Sequence, residues 1–247
     1  MQGANKEHTR ERRGNNMAKG ILYGIGVGPG DPELLTLKAA RLLKECDAVA
    51  VPDKGRGEKT ALNIVSEHVK GKELMFCPTP MIRDLKKLEE CYAQIADDIC
   101  KLLEKGKTVC FITLGDPTVY STYIYIHKKV LAKGFDAELV PGVPSFCAVA
   151  ARLNIPLCER SERLLIVPAS HDPADCMDVK ANKVFMKAGK GLGELCELLD
   201  SRGQLEQAAM VENCGMEGER VWPSIKDADI SSGYFSVVIV KESGAEA

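Results

Sequence analysis

From Gly20 onward the chain alternates short apolar runs with longer stretches whose apolar residues recur at helical spacing. No other feature limits its fold as strongly. The runs 21–27, 48–51, 73–77, 107–114 and 137–140 read as strands, and 34–43, 61–69, 85–103 and about 119–132 read as the helices between them. Strand and helix in strict alternation predict a parallel sheet with right-handed crossovers. Beyond Pro141-Gly142-Val143-Pro144 the rhythm shortens. A small-residue helix over 146–153, capped by Ser145, precedes strands at 164–167, 183–187, 207–212, 220–222 and 235–241, with helical stretches near Asp175 and over 192–201. That mixed order predicts a second α/β domain with a partly antiparallel sheet. The expected division is an extension at 1–19, one domain at 20–142 and another at 143–247.

Charge narrows the class. Lys and Arg number 33 and Asp and Glu 35, a net charge of −2, which argues against a surface built to hold nucleic acid phosphates. Apolar residues make up 45% of the chain, the share of a globular protein, yet charged residues or glycines interrupt every run before membrane-span length. The opening segment carries Lys6, Arg10, Arg12, Arg13 and Lys19 against Glu7 and Glu11. It lacks the pattern of a signal peptide and reads as a disordered extension. Glu11-Arg12-Arg13-Gly14 further suggests a translated ribosome-binding site, with Met17 as the functional start. The ten cysteines form no C-x-x-C pair, and several sit in apolar runs, as Cys110 and Cys147 do. Free buried thiols in a reducing cytoplasm are expected, with no metal held by the protein.

Three loops carry candidate chemistry. The first, Gly24-Ile25-Gly26-Val27-Gly28-Pro29-Gly30-Asp31-Pro32-Glu33, joins a strand to a helix. The dinucleotide fingerprint fails there because Pro29 stands where its third glycine is needed. A phosphate-binding loop fails at Gly106-Lys107-Thr108, which Lys101 precedes at the required place. The same glycines would suit one class of S-adenosylmethionine loop, although there the helix follows at once. They also suit a tight turn with Asp31 as helix cap and Pro32 in the first turn. The second loop, Leu114-Gly115-Asp116-Pro117-Thr118-Val119-Tyr120, lies at the carboxyl end of a strong strand, where open parallel sheets bind ligands. Asp116 is suited to accept hydrogen bonds from a ligand amine or ribose, or to cap a helix. The third is the stiff turn 141–145 at the expected hinge.

Together the loops resemble the tetrapyrrole methylase family. Its opening signature is matched by Gly26 to Ala39, its Gly-Asp-Pro loop at 115–117 and its Pro-Gly-Val turn at 141–143, in order, within a resemblance running from about Gly20 to Lys241. Leu114 to Tyr123, with Ile124 to Lys128, is most similar to the branch that methylates C20 of a corrin precursor. The resemblance implies two α/β domains, the first with a parallel and the second with a mixed sheet, binding S-adenosylmethionine in the cleft between them and working as a homodimer. It implies cofactor contacts at Pro29, Gly115, Asp116, Val119, Pro144, Ser145, Met186 and Ala209. Pro144 and Ser145 replace a common Thr-Ala pair, and Pro144 removes a backbone donor. The implied substrate, precorrin-2 or cobalt-factor II, is a flat ring bearing carboxylates, for which Lys54, Arg56, Lys59 and Arg83 are candidate partners. Tyr120 is the candidate substrate-side residue. Tyr123 and Tyr125 either face the ring or pack, and Asp53 is a conceivable base. Methylation at another tetrapyrrole position, or a non-catalytic nucleotide-binding module, remain alternatives.

Overall fold

The computed structural model describes residues 19–55, 59–168, 171–228 and 233–242. Met17 and Arg56 lie outside the described residues, as does the expected extension up to Ala18. Strands β1 (Ile21–Gly26), β2 (Ala48–Asp53), β3 (Glu73–Pro78), β4 (Val109–Thr113) and β5 (Asp136–Val140) form one sheet in the order β3-β2-β4-β1-β5. Every neighbouring pair in it is parallel.

Helices α1 (Leu37–Glu45), α2 (Thr60–Ile64), α3 (Leu85–Glu104) and α4 (Tyr123–Ala132) pack on this sheet. Ala48, Ala50, Val109 and Phe111 face Ile95 and Ile99 of α3 and Tyr123 and Ile126 of α4. Val49, Val51, Cys110 and Ile112 face Ala39 and Leu43 of α1 and Ala61 and Ile64 of α2. Successive strand residues point to opposite layers, and on the inner strands β2 and β4 both layers are buried, so those strands read as unbroken apolar runs. β1 and β4 are central neighbours, while β2 and β5 flank them on opposite sides. Their crossovers therefore leave in opposite directions and open a crevice at their carboxyl ends.

The second domain contains α5 (Ser145–Leu153), β6 (Leu164–Pro168), β7 (Asn182–Met186), α6 (Leu192–Ser201), β8 (Ala208–Glu212), β9 (Arg220–Trp222) and β10 (Ser236–Val240). Its sheet runs β6-β7-β10-β8-β9, with only β6 and β7 parallel. Leu192, Leu195 and Leu199 of α6 cover one face, and Phe146 and Val149 of α5 the other.

Several expected elements start elsewhere, each for a local reason. The helix expected at 34–43 is α1, which begins at Leu37. Asp31 caps only the short 3-10 turn Pro32–Leu34, accepting from Glu33 N at 2.8 Å, and Thr36 caps α1 through Ala39 N. The helix expected from 119 begins at Tyr123, because Tyr120 has φ +46, which no right-handed helix accommodates. The 61–69 stretch divides into α2 and a 3-10 turn, Ser66–His68. Ser145 is the first residue of α5 and not its cap; Pro144 holds the cap position. The ten cysteines are unpaired, and Cys147 is exposed, contrary to expectation. Its helix buries Phe146, Val149 and Ala150, a spacing that turns position 147 outward. No helix among the described residues is long and apolar enough to cross a membrane.

Candidate functional site

The three glycine-bearing loops meet at the carboxyl ends of β1, β4 and β5. Gly28 and Gly115 pair their backbones, with Gly115 N donating to Gly28 O at 2.7 Å and Gly28 N to Gly115 O at 3.3 Å. A Cβ on Gly142 would lie 2.3 Å from Gly115 O and 2.7 Å from Gly26 C. One on Gly26 would lie 2.5 Å from Gly142 N. These glycines are therefore required by loop-to-loop packing. Thr36 joins the first loop to the third, since its hydroxyl donates to Pro141 O at 3.3 Å while also capping α1.

Asp116 ties the second loop to the third. One carboxylate oxygen accepts from Thr118 N at 2.7 Å and from the Thr118 hydroxyl, and the other accepts from Gly142 N at 3.0 Å. It is thus neither the cap of α4 nor an idle acceptor. With 8% of its surface exposed it still borders the cleft. Gly115 has φ +72, and nothing closer than Val143 O, at 4.0 Å, would meet a Cβ there, so the backbone leaves open space above the loop.

A single cleft gathers Pro29, Gly115, Asp116, Val119, Tyr120, Pro144, Ser145 and Met186. Among the sequence candidates Lys54, Lys59 and Tyr123 also line it. Ala209, on β8, is buried outside this lining. Arg83 is exposed beyond it. Asp53, at the end of β2, uses its carboxylate to accept from Gly55 N at 2.8 Å. Tyr125 stacks on Tyr92, with ring centroids 5.4 Å apart. Tyr123 is 1% exposed, fills the space beside Gly24 and pairs its hydroxyl with His127 Nδ1 at 3.0 Å. For these two tyrosines the structure favours packing. Burial pushes the Tyr123 phenol up.

The second domain closes the cleft with residues that sequence reasoning passed over: Lys187, Cys214, Met216 and the segment Tyr234 to Val237. Gly30 and Gly215 bring the domains into contact, because a Cβ on Gly30 would lie 2.6 Å from Cys214 O and one on Gly215 2.8 Å from Asp31 N. Burial raises the Cys214 thiol to about 11. Tyr120 crosses the cleft, its hydroxyl donating to Ile166 O of β6 at 3.1 Å. The signal for Lys187 was its place directly after Met186, at the carboxyl end of β7. Tyr234 precedes a strand and has no comparable signal. Among the described residues no three His, Cys, Asp or Glu side chains gather in a way that could hold a metal ion.

What this arrangement can do is hold an extended, partly apolar ligand between two domains, with apolar Val119, Val149, Met186 and Val237 beside polar Thr113, Ser121, Thr122 and Ser145. The probable cobalt-precorrin-2 C(20)-methyltransferase of Methanocaldococcus jannaschii is 36% identical over 92% of this chain and 98% of its own length. The cobalt-precorrin-2 C(20)-methyltransferase of Salmonella typhimurium is 32% identical over 90% of this chain and 97% of its own. Among solved structures, a cobalt precorrin-4 methyltransferase superposes with a TM-score of 0.72 at 20% identity, covering 93% of this chain and 97% of that one, and so shares the fold. The profile described as Tetrapyrrole (Corrin/Porphyrin) Methylases matches residues 21–229. With the loops, the paired domains and the full-length relatives in agreement, the chain belongs to the tetrapyrrole methylase family.

Proposed function

We propose that this chain transfers the methyl group of S-adenosylmethionine to C20 of a corrin precursor, precorrin-2 or cobalt-factor II. The observation that carries the reading is the single cleft in which all three family loops meet Met186 from the other domain. The two relatives named for C20 methylation of cobalt-precorrin-2, each matched over nearly its whole length, support the C20 position and favour a cobalt-bearing ring over metal-free precorrin-2. Any cobalt belongs to the substrate, held by the ring nitrogens. The proposed cofactor contacts are Pro29, Gly115, Asp116, Val119, Pro144, Ser145 and Met186, which line the cleft; Ala209, buried on β8 outside that lining, is dropped from the set.

The donor, when bound, supplies a methyl group already activated on a sulfonium sulfur, so no protein nucleophile and no protein-held metal are needed. The chain's task is orientation. Holding the ring carbon in line with sulfur and methyl is worth ~7–11 kcal/mol of the barrier when the geometry is right. The stiff loop assembly at Gly26, Gly115 and Gly142 gives that geometry a rigid base. Val119, Met186 and Val237 line the cleft with apolar surface that excludes water as the sulfonium loses its charge. The reading places the domain division at 142/143, where Pro141 to Pro144 join β5 to α5. It also takes the working unit as a homodimer in a reducing cytoplasm. The unpaired thiols support that compartment, and light scattering tests the dimer.

The test is turnover without oxygen on cobalt-factor II and on metal-free precorrin-2 in parallel, with a carbon-13 methyl donor. Expected are one labelled methyl at C20, stoichiometric S-adenosylhomocysteine and faster turnover of the cobalt ring. Methylation at another carbon overturns the position. No transfer to either ring, with ATP or NAD bound instead of S-adenosylhomocysteine, overturns the enzyme reading.

A further inference from the structure

Lys187 is the residue in the cleft that the fold explains least. It follows β7 directly and has φ +60, a left-handed conformation that residues with a Cβ rarely adopt. Such a conformation persists where its surroundings enforce it, and it collects at functional sites. Its side chain is half-buried, and burial holds its ammonium below the usual lysine range. Yet among the described residues no carboxylate pairs with it. Its Nζ reaches Tyr120 O at 3.5 Å, across the cleft, and stands 5.8 Å from the Tyr234 ring centroid.

Lys54 approaches the same ring from the first domain, with Nζ 4.9 Å from its centroid. Two ammonium groups from opposite domains thus converge on one tyrosine. Among the described residues lining the cleft, the charged ones are Lys54, Lys59, Lys187 and Asp116, and Asp116 has both oxygens engaged by Thr118 and Gly142. This wall is positive. S-adenosylmethionine carries a sulfonium, an ammonium and one carboxylate, so its own net charge is positive and it does not call for such a wall. A second ligand rich in carboxylates does.

Resting on the methyltransferase reading above, we propose that Lys187 and Lys54 form a two-domain clamp for carboxylates of the ring substrate, with Lys187 the partner set in place by its enforced backbone. Bound substrate then spans the cleft between the two domains.

The test measures two affinities on wild type, Lys187→Met, Lys187→Arg, Lys187→Gly and Lys54→Met: cobalt-factor II by absorbance titration and S-adenosylhomocysteine by calorimetry. Loss of one charge-assisted contact predicts ~10–100-fold weaker ring binding in Lys187→Met, with S-adenosylhomocysteine affinity unchanged and Lys187→Arg close to wild type. Lys187→Gly relieves the backbone, so it should melt no lower than wild type while losing ring affinity to the same degree. Equal ring affinity in wild type and Lys187→Met overturns the clamp. So does weaker S-adenosylhomocysteine binding with ring affinity intact, which would assign Lys187 to the donor's carboxylate. A wild-type protein that binds neither ring form refutes the methyltransferase reading itself, a result separate from either of these.

Discussion

Replacing Gly142 by alanine tests whether the loops form one interlocked unit. The added Cβ would lie 2.3 Å from Gly115 O, where ordinary contact begins at 3.4 Å, and the neighbouring atoms are backbone and cannot rotate away. The loops must therefore part by about 1 Å, and overpacking of this kind costs ~1–3 kcal/mol. For a chain of this size that lowers the melting temperature by ~2–12 °C. The displaced loops carry Gly115, Asp116 and Pro144, so S-adenosylhomocysteine binding should weaken as well. A shift of this size costs ~10²-fold in turnover.

Gly115→Ala provides the contrast. There the space is open, but φ is +72, and the left-handed conformation costs a residue with a Cβ ~1–2 kcal/mol. Asparagine tolerates that region, so Gly115→Asn should recover much of the lost stability, though not the donor binding that its side chain obstructs, whereas Gly142→Asn should melt lower than Gly142→Ala. Circular dichroism melts and calorimetry with S-adenosylhomocysteine read both quantities. If Gly142→Ala melts with the wild type and binds the product equally well, the interlock is wrong. Rescue of both positions by asparagine would equally refute the division into steric and conformational roles.

Asp116→Ala strips acceptors from Thr118 N and Gly142 N, and leaving buried donors unmet costs ~1–3 kcal/mol each. The variant should stay folded, melt several degrees lower by ~2–4 °C per kcal/mol and bind S-adenosylhomocysteine markedly less well. Unchanged affinity would remove Asp116 from the site. His127 is buried against Tyr123, and burial lowers its pKa, so the folded state favours neutral imidazole. The unfolded chain takes up that proton first as pH falls below ~6.5, so stability is lost from there down to the folded pKa with a slope of at most ~1.4 kcal/mol per pH unit. Urea midpoints between pH 5 and 8 should show a shallower slope in His127→Gln, and identical slopes would refute the assignment. Of the ten cysteines only Cys147 and Cys158 are exposed, so a thiol reagent should label two sites rapidly in the native protein, and labelling of four or more at that rate would contradict the packing.

The first domain was legible in the sequence because its inner strands β1, β2 and β4 are mostly buried and its longer helices α1 and α3 are amphipathic, so those elements announce themselves by composition and period. Some of the failures lie where a single backbone angle overrides the period. Positions 119 to 122 carry helix-compatible residues, yet Tyr120 turns left-handed so that its hydroxyl can reach β6, and no local pattern encodes a partner 46 residues away. Asp116 shows the same limit. Asp-Pro after a strand reads as a helix cap, and the true second partner, Gly142 N, belongs to a loop that only the sheet order β4-β1-β5 brings alongside. Lys187 was hidden by the opposite effect: it continues a run of strand residues, and its departure from that strand is visible only as an angle. The parts of the site that sequence conveys are thus those written as glycine and proline spacing. The parts it conceals are the side chains that cross from one domain to the other, since their partners are fixed by topology and not by neighbours in the chain.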